Sequence, residues 1–150
     1  MYTIEEYDKQ KTKVLKYVLY KKRTEKEIRT KFKQDIEENM LEDILEELKD
    51  NGYVSDENYI ARAVNEFMAL KNLSIKEIKY KLMQKGISSN MVEDYISKNY
   101  EELEEYEQKS ANNIVYKKSV NMDEYEIRKY LVKKGYEEEH IKEAIEQIEE

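Results

Sequence analysis

The chain has no proline, no cysteine, one histidine and only three glycines, Gly52, Gly86 and Gly135, in 150 residues. Turn-rich β architectures draw on Gly and Pro at their turns, so this scarcity excludes them. Without cysteine there is no disulfide framework and no thiolate ligand or nucleophile, which fits a reducing compartment. No apolar run approaches the roughly 20 residues that cross a bilayer. The start, Met1-Tyr2-Thr3-Ile4-Glu5-Glu6, lacks a basic-then-apolar leader, so a cytoplasmic protein without a membrane partner is expected. No Gly-rich phosphate loop, Ser/His/Asp set or Cys nucleophile can be assembled from these residues. An enzyme is therefore not expected, nor a cofactor.

What is present favours helix. Three segments open alike: Thr24-Glu25-Lys26-Glu27-Ile28, Ser74-Ile75-Lys76-Glu77-Ile78 and Asp123-Glu124-Tyr125-Glu126-Ile127. In each, a capping side chain precedes a Glu by three residues, the pattern of a capping box. A second apolar residue, Phe32, Leu82 or Leu131, lies four positions after the shared Ile and so on the same helix face. Gly86 and Gly135 fit the left-handed stop of the second and third of these helices. The first has Gln34-Asp35-Ile36 there and needs a different stop.

A further amphipathic helix follows every box: Met40, Leu41, Ile44, Leu45 and Leu48, then Met91, Val92, Tyr95 and Ile96, then Ile141, Ala144, Ile145 and Ile148. The boxes stand 50 and 49 positions apart, which leaves room for a leading helix in each copy. The expected fold is all-α, with three tandem three-helix repeats, 1–52, 53–100 and 101–150, stacked into an elongated, curved body. Besides the boxes, Gly52 is expected to end a helix and Asp56 to cap the next.

The net charge of −7 is unevenly spread. Between Lys9 and Lys33 eleven basic residues face only Glu25 and Glu27, a local +9. Each box helix is also basic, whereas the helix after it is acidic. Recurrent basic helices suit a long anionic partner, such as a nucleic-acid backbone or a protein filament. The bland alternative is a solvated face of paired Glu and Lys. His140 is expected at the surface near a helix start, with no metal, because no second His or Cys completes a transition-metal site. Most of the fourteen tyrosines, including Tyr53, Tyr59, Tyr95, Tyr125 and Tyr136, are expected in or beside the core. Tyr20 and Tyr80, which lie among basic residues, are the expected exceptions.

Asn51-Gly52-Tyr53-Val54-Ser55-Asp56-Glu57-Asn58-Tyr59-Ile60, preceded by Arg23-Thr24-Glu25-Lys26-Glu27-Ile28, resembles the RecX family of bacterial regulators of the RecA recombinase. The resemblance extends over nearly the whole chain through Lys85-Gly86-Ile87 and Lys134-Gly135-Tyr136. Ser55 stands where that family usually has an acid, and Ile60 where it usually has Ala. The resemblance implies a monomer without a catalytic centre that binds RecA, lies in the groove of its filament on single-stranded DNA and restrains strand exchange, ATPase and coprotease activities. A weak DNA contact is part of that expectation. Candidate contacts are Arg23, Lys26, Arg29, Arg62, Lys76, Lys79, Lys81 and Arg128. The rival reading is a stand-alone DNA-binding module of helix-turn-helix type.

Overall fold

The computed structural model describes residues 2–149; Met1 and Glu150, the outer bounds of the expected first and third repeats, lie outside it. The described residues form nine α-helices and no strand. They are α1 (Ile4–Tyr20), α2 (Glu25–Phe32), α3 (Glu38–Asp50), α4 (Asp56–Leu70), α5 (Ile75–Gln84), α6 (Ser89–Lys98), α7 (Tyr100–Lys118), α8 (Glu124–Lys134) and α9 (Glu138–Glu149). The expected pattern of leading helix, box helix and acidic helix is thus present three times. The acidic run at Glu101–Glu107 forms the first part of α7.

By packing, the chain divides into two compact units. One runs through Ala61 and takes in Gln84–Ile87; the other comprises Arg62–Met83 and the chain from Ser88 onward. The first unit's core joins Val14 and Val18 of α1 and Ile28 and Phe32 of α2 to Met40, Leu41, Ile44, Leu45 and Leu48 of α3. A core of the second unit gathers Ala111, Ile114 and Val115 of α7 with Ile127, Leu131, Tyr136, Ile141, Ala144 and Ile145. The helical spacing of these residues places them on one face per helix. Burying each of the larger side chains contributes roughly 1.5–3 kcal/mol. Ile148, expected in the last stripe, is 42% exposed because α9 ends beside it.

The caps refine the expected pattern. Thr24 and Ser74 form complete boxes with Glu27 and Glu77. Asp123 accepts from the Glu126 N–H at 2.9 Å, but the box is not closed by a return bond. Asp56 does not cap α4. Ser55 does, accepting from the Asn58 N–H at 3.2 Å, while the Asp56 carboxylate accepts from the Glu25 N–H at 3.0 Å. Ser55 therefore does the work of the cap. Gly52, Gly86 and Gly135 all have positive φ, +83°, +95° and +95°. In α2, by contrast, the Phe32 carbonyl takes the N–H groups of Asp35 and Ile36, and no left-handed residue is needed.

Candidate partner-binding surface

The box residues do more than cap. Thr24 and Ser74 are fully buried, because another helix end lies over each. In the first unit the Thr24 hydroxyl donates to the Lys85 carbonyl at 2.6 Å. In the second, the Ser74 hydroxyl donates to the Lys134 carbonyl at 2.7 Å. Each hydroxyl at once accepts from the backbone N–H of its own box Glu, at 3.1 Å for Glu27 and 3.0 Å for Glu77. A hydroxyl suits this position because it is both donor and acceptor. Asp123 is exposed, and an ionised carboxylate only accepts.

Three further contacts recur at these joints. An acidic side chain about 30 residues downstream takes the first helical N–H: Asp56 that of Glu25, and Glu107 that of Ile75 at 2.8 Å. The lysine before each glycine reaches the box glutamate, Lys85 to Glu27 and Lys134 to Glu77, both at 3.9 Å. The stem of Lys26 lies against Gly86, and that of Lys76 against Gly135. These two candidate contacts therefore combine an aliphatic stem that packs a joint with an exposed ammonium.

The remaining candidates divide. Arg29 grips Glu42 with two bonds, 2.7 and 3.1 Å, and reaches Glu25 at 3.3 Å. Lys79 pairs with Glu93, and Arg128 with Glu138 at 2.5 Å. These three occupy one repeat position, five residues after the box residue. At that position the paired-face reading holds, since each bridges its box helix to the next acidic helix. The Arg29 guanidinium keeps the Glu42 carboxyl below its ordinary pKa. Arg23 stacks over Tyr17, 4.0 Å from guanidinium carbon to ring centroid, an ordinary cation–π geometry. Arg62 and Lys81 have no ion-pair partner among the described residues; Arg62 is exposed and Lys81 half-buried.

The +9 segment supplies a surface that the candidate residues largely leave out. Lys9, Lys13 and Lys16 are exposed and share the face of α1 opposite Val14 and Val18. Tyr20, 86% exposed, continues that face, and Lys21 and Lys22 follow it. None of these five lysines is in an ion pair among the described residues. The excess charge was visible in the sequence, but its absence of partners was not. Beside it, Tyr17, Lys26, Glu27, Thr30, Lys31, Gln84 and Lys85 line an open cleft of about 390 Å³.

Tyr80 is exposed, as expected, but so are Tyr53 and Tyr125, at 44% and 73%. At the Gly52 turn it is Val54, 3% exposed, that enters the core, while the Tyr53 N–H closes the turn on the Leu48 carbonyl at 2.9 Å. Tyr125 sits in the first turn of α8, which is exposed and is covered by no other helix end among the described residues. His140 is buried, 5% exposed, contrary to expectation. Its ring meets Glu107, a carboxylate 33 residues away that is itself 1% exposed.

No family model matches the chain. It is similar to the regulatory protein RecX of Finegoldia magna, 37% identical over 83 residues, which are 55% of this chain and 40% of that protein. It is also similar to the regulatory protein RecX of Clostridium acetobutylicum, 28% identical over 147 residues, covering 92% of this chain and 68% of that one. The fold matches a crystal structure of RecX from Lactobacillus salivarius with a TM-score of 0.83 and 24% identity, over 98% of this chain and 99% of that one.

Proposed function

Because the chain belongs to the RecX family of regulatory proteins, we propose that it binds RecA filaments on single-stranded DNA in the cytoplasm and restrains their strand exchange, ATPase and coprotease activities without a catalytic centre of its own. The observation that supports this most directly is the unpaired lysine face of α1, Lys9, Lys13 and Lys16, continued by Tyr20. Unpaired exposed cations retain their attraction for an anionic filament, whereas those held in ion pairs have spent part of it. The three-repeat build adds a second argument, since several modest contacts on one chain act together.

The stand-alone DNA reader is less well supported. Such a reader needs its recognition helix free to present side chains to base edges. Arg29, Lys79 and Arg128 are instead tied to acids of the following helix. The deciding experiment measures the DNA-dependent ATPase of a cognate RecA filament with added protein, at low and moderate salt. Inhibition at or below equal ratios is expected, together with marked loss of inhibition in the triple variant Lys9→Glu, Lys13→Glu, Lys16→Glu. Absence of any effect on the filament, or tight sequence-dependent duplex binding without RecA, would overturn the proposal.

A further inference from the structure

His140, the chain's sole histidine, occupies the first turn of α9. Its surroundings are unlike those of an ordinary buried polar residue. Glu104 and Glu107 stand one turn apart on α7, and Glu137 immediately precedes α9. The Glu107 carboxylate is committed: Oε1 takes the Ile75 N–H at 2.8 Å, and Oε2 takes the Glu137 N–H at 3.3 Å and meets His140 Nδ1. A carboxylate so placed accepts the Nδ1 proton and leaves the lone pair of a neutral ring on Nε2.

That second nitrogen has no hydrogen bond among the described residues. It faces the Glu104 carboxylate at 3.8 Å, while the ring as a whole is nearly excluded from solvent. The Glu137 carboxylate shares the same space, so that one ligand atom from each of Glu104, Glu137 and His140 lies within 4.8 Å of the others. No lysine or arginine side chain pairs with Glu104 or Glu137 among the described residues. The local field is strongly negative: the Tyr100 phenol beside them has its pKa pushed up, first by Glu137 and then by Glu104. The positive N-terminal end of α9 opposes a cation here, but the Glu104 and Glu137 carboxylates at the site outweigh its roughly half charge.

We propose that Glu104, Glu137 and His140 form a binding site for a first-row divalent cation, with Zn²⁺ as the best fit. Three features support this choice. An imidazole whose other nitrogen is anchored by a buried carboxylate is the usual outer support of a metal-bound histidine. One nitrogen and two carboxylates suit Zn²⁺, which takes three protein ligands and a water, far better than Mg²⁺ or Ca²⁺, which prefer all-oxygen sets. The ligand atoms must close to about 3.3 Å apart for bonds of about 2.0–2.1 Å. Glu104 and Glu137 have long side chains, half-buried and exposed respectively, and can rotate inward while His140 stays fixed. The ion would clip α7 to the α8–α9 turn, inside the second unit.

The test is titration of the metal-free full chain with ZnCl₂, followed by calorimetry and by NMR of its single imidazole. One saturable site per chain is expected, with a shift of the Nε2 resonance and a raised unfolding temperature. Mg²⁺ at the same concentration should produce neither. Glu104→Gln and Glu137→Gln leave the buried Glu107–His140 pair intact; each should weaken Zn²⁺ binding about tenfold or more with unchanged helical content. No saturable binding would overturn the site. So would binding that leaves the imidazole resonance unmoved or is indifferent to both substitutions, which would mark His140 as a buried hydrogen-bonding residue only.

Discussion

Lys26 lies across Gly86 so closely that a Cβ on the glycine would collide with the Cβ, Cγ and Cδ of the lysine. Two demands therefore meet at Gly86, a left-handed backbone at φ +95° and the absence of a side chain. Gly135 has the same φ with less crowding, 3.0 Å to Lys76 Cβ, and Gly52 at φ +83° has nothing within 4 Å. Alanine should accordingly destabilise in the order Gly86, Gly135, Gly52. The backbone alone costs about 1–2 kcal/mol at each, and Gly86→Ala adds roughly 1–3 kcal/mol of overpacking. Urea unfolding of the three variants checks the order; an equal loss at Gly52 and Gly86 would show that Lys26 does not press on the joint.

The joint's hydroxyls make a second prediction. Thr24→Val keeps the shape but leaves the Glu27 N–H and the Lys85 carbonyl unpaired in a buried place, at a cost of about 2–4 kcal/mol. Thr24→Ser should restore most of it. Thr24→Asp caps but cannot donate, and it sets a carboxylate against a carbonyl, so it should fold less stably than Thr24→Ser. At the exposed third cap the exchange is mild: Asp123→Ser should change stability by about 0.5 kcal/mol or less. Thermal unfolding of the four proteins separates the two roles of the hydroxyl.

Asp56 carries a pH signature. Burial, first of all, holds its carboxyl above the ordinary value of 3.8, while the bond from the Glu25 N–H acts in the other direction. For an acid whose folded pKa is raised, the folded chain binds the proton more tightly. Its contribution is fully present below the ordinary value and is lost as pH rises through the folded value. Asp56→Asn keeps an acceptor without the charge and should be at least as stable as the parent at pH 7. Asp56→Ala leaves the N–H without its acceptor and should lose about 1–2 kcal/mol. Denaturant midpoints at pH 4 and pH 7 check both the ranking and its sign.

The helices, glycine stops and two of three capping boxes were legible because each rests on residues within one turn of one another. The uses that cross from helix to helix were not. Nothing local to Thr24 announces that its hydroxyl will donate to a carbonyl 61 residues on. The pattern of identities did carry a trace: hydroxyl caps occur at Thr24 and Ser74, which have Gly86 and Gly135 as partners, while Asp123 and Asp35 stand at the cap and the stop that lie in no such joint. His140 was misread as a surface residue because its burial depends on Glu107, which the sequence shows only as one acid in an acidic run. Likewise, Lys and Glu composition shows that charge is present but not which charges are paired.

That last distinction can be tested directly at Arg29. The Arg29 bond holds the Glu42 carboxyl below its ordinary value of 4.5, so the pair's contribution is present above that value and disappears as pH falls through the lowered one. Arg29→Met should flatten this part of the acid-unfolding curve, with a small effect at neutral pH because both side chains are near half exposed. It should leave inhibition of a RecA filament close to that of the parent, because a guanidinium already gripped by Glu42 and Glu25 has little left to offer a partner. Charge reversal at Lys9, Lys13 and Lys16 should do the opposite, lowering inhibition while leaving the acid limb in place. Parallel ATPase and acid-unfolding series on the two variants check this; if Arg29→Met abolished inhibition with its fold intact, the paired position would be part of the partner surface after all.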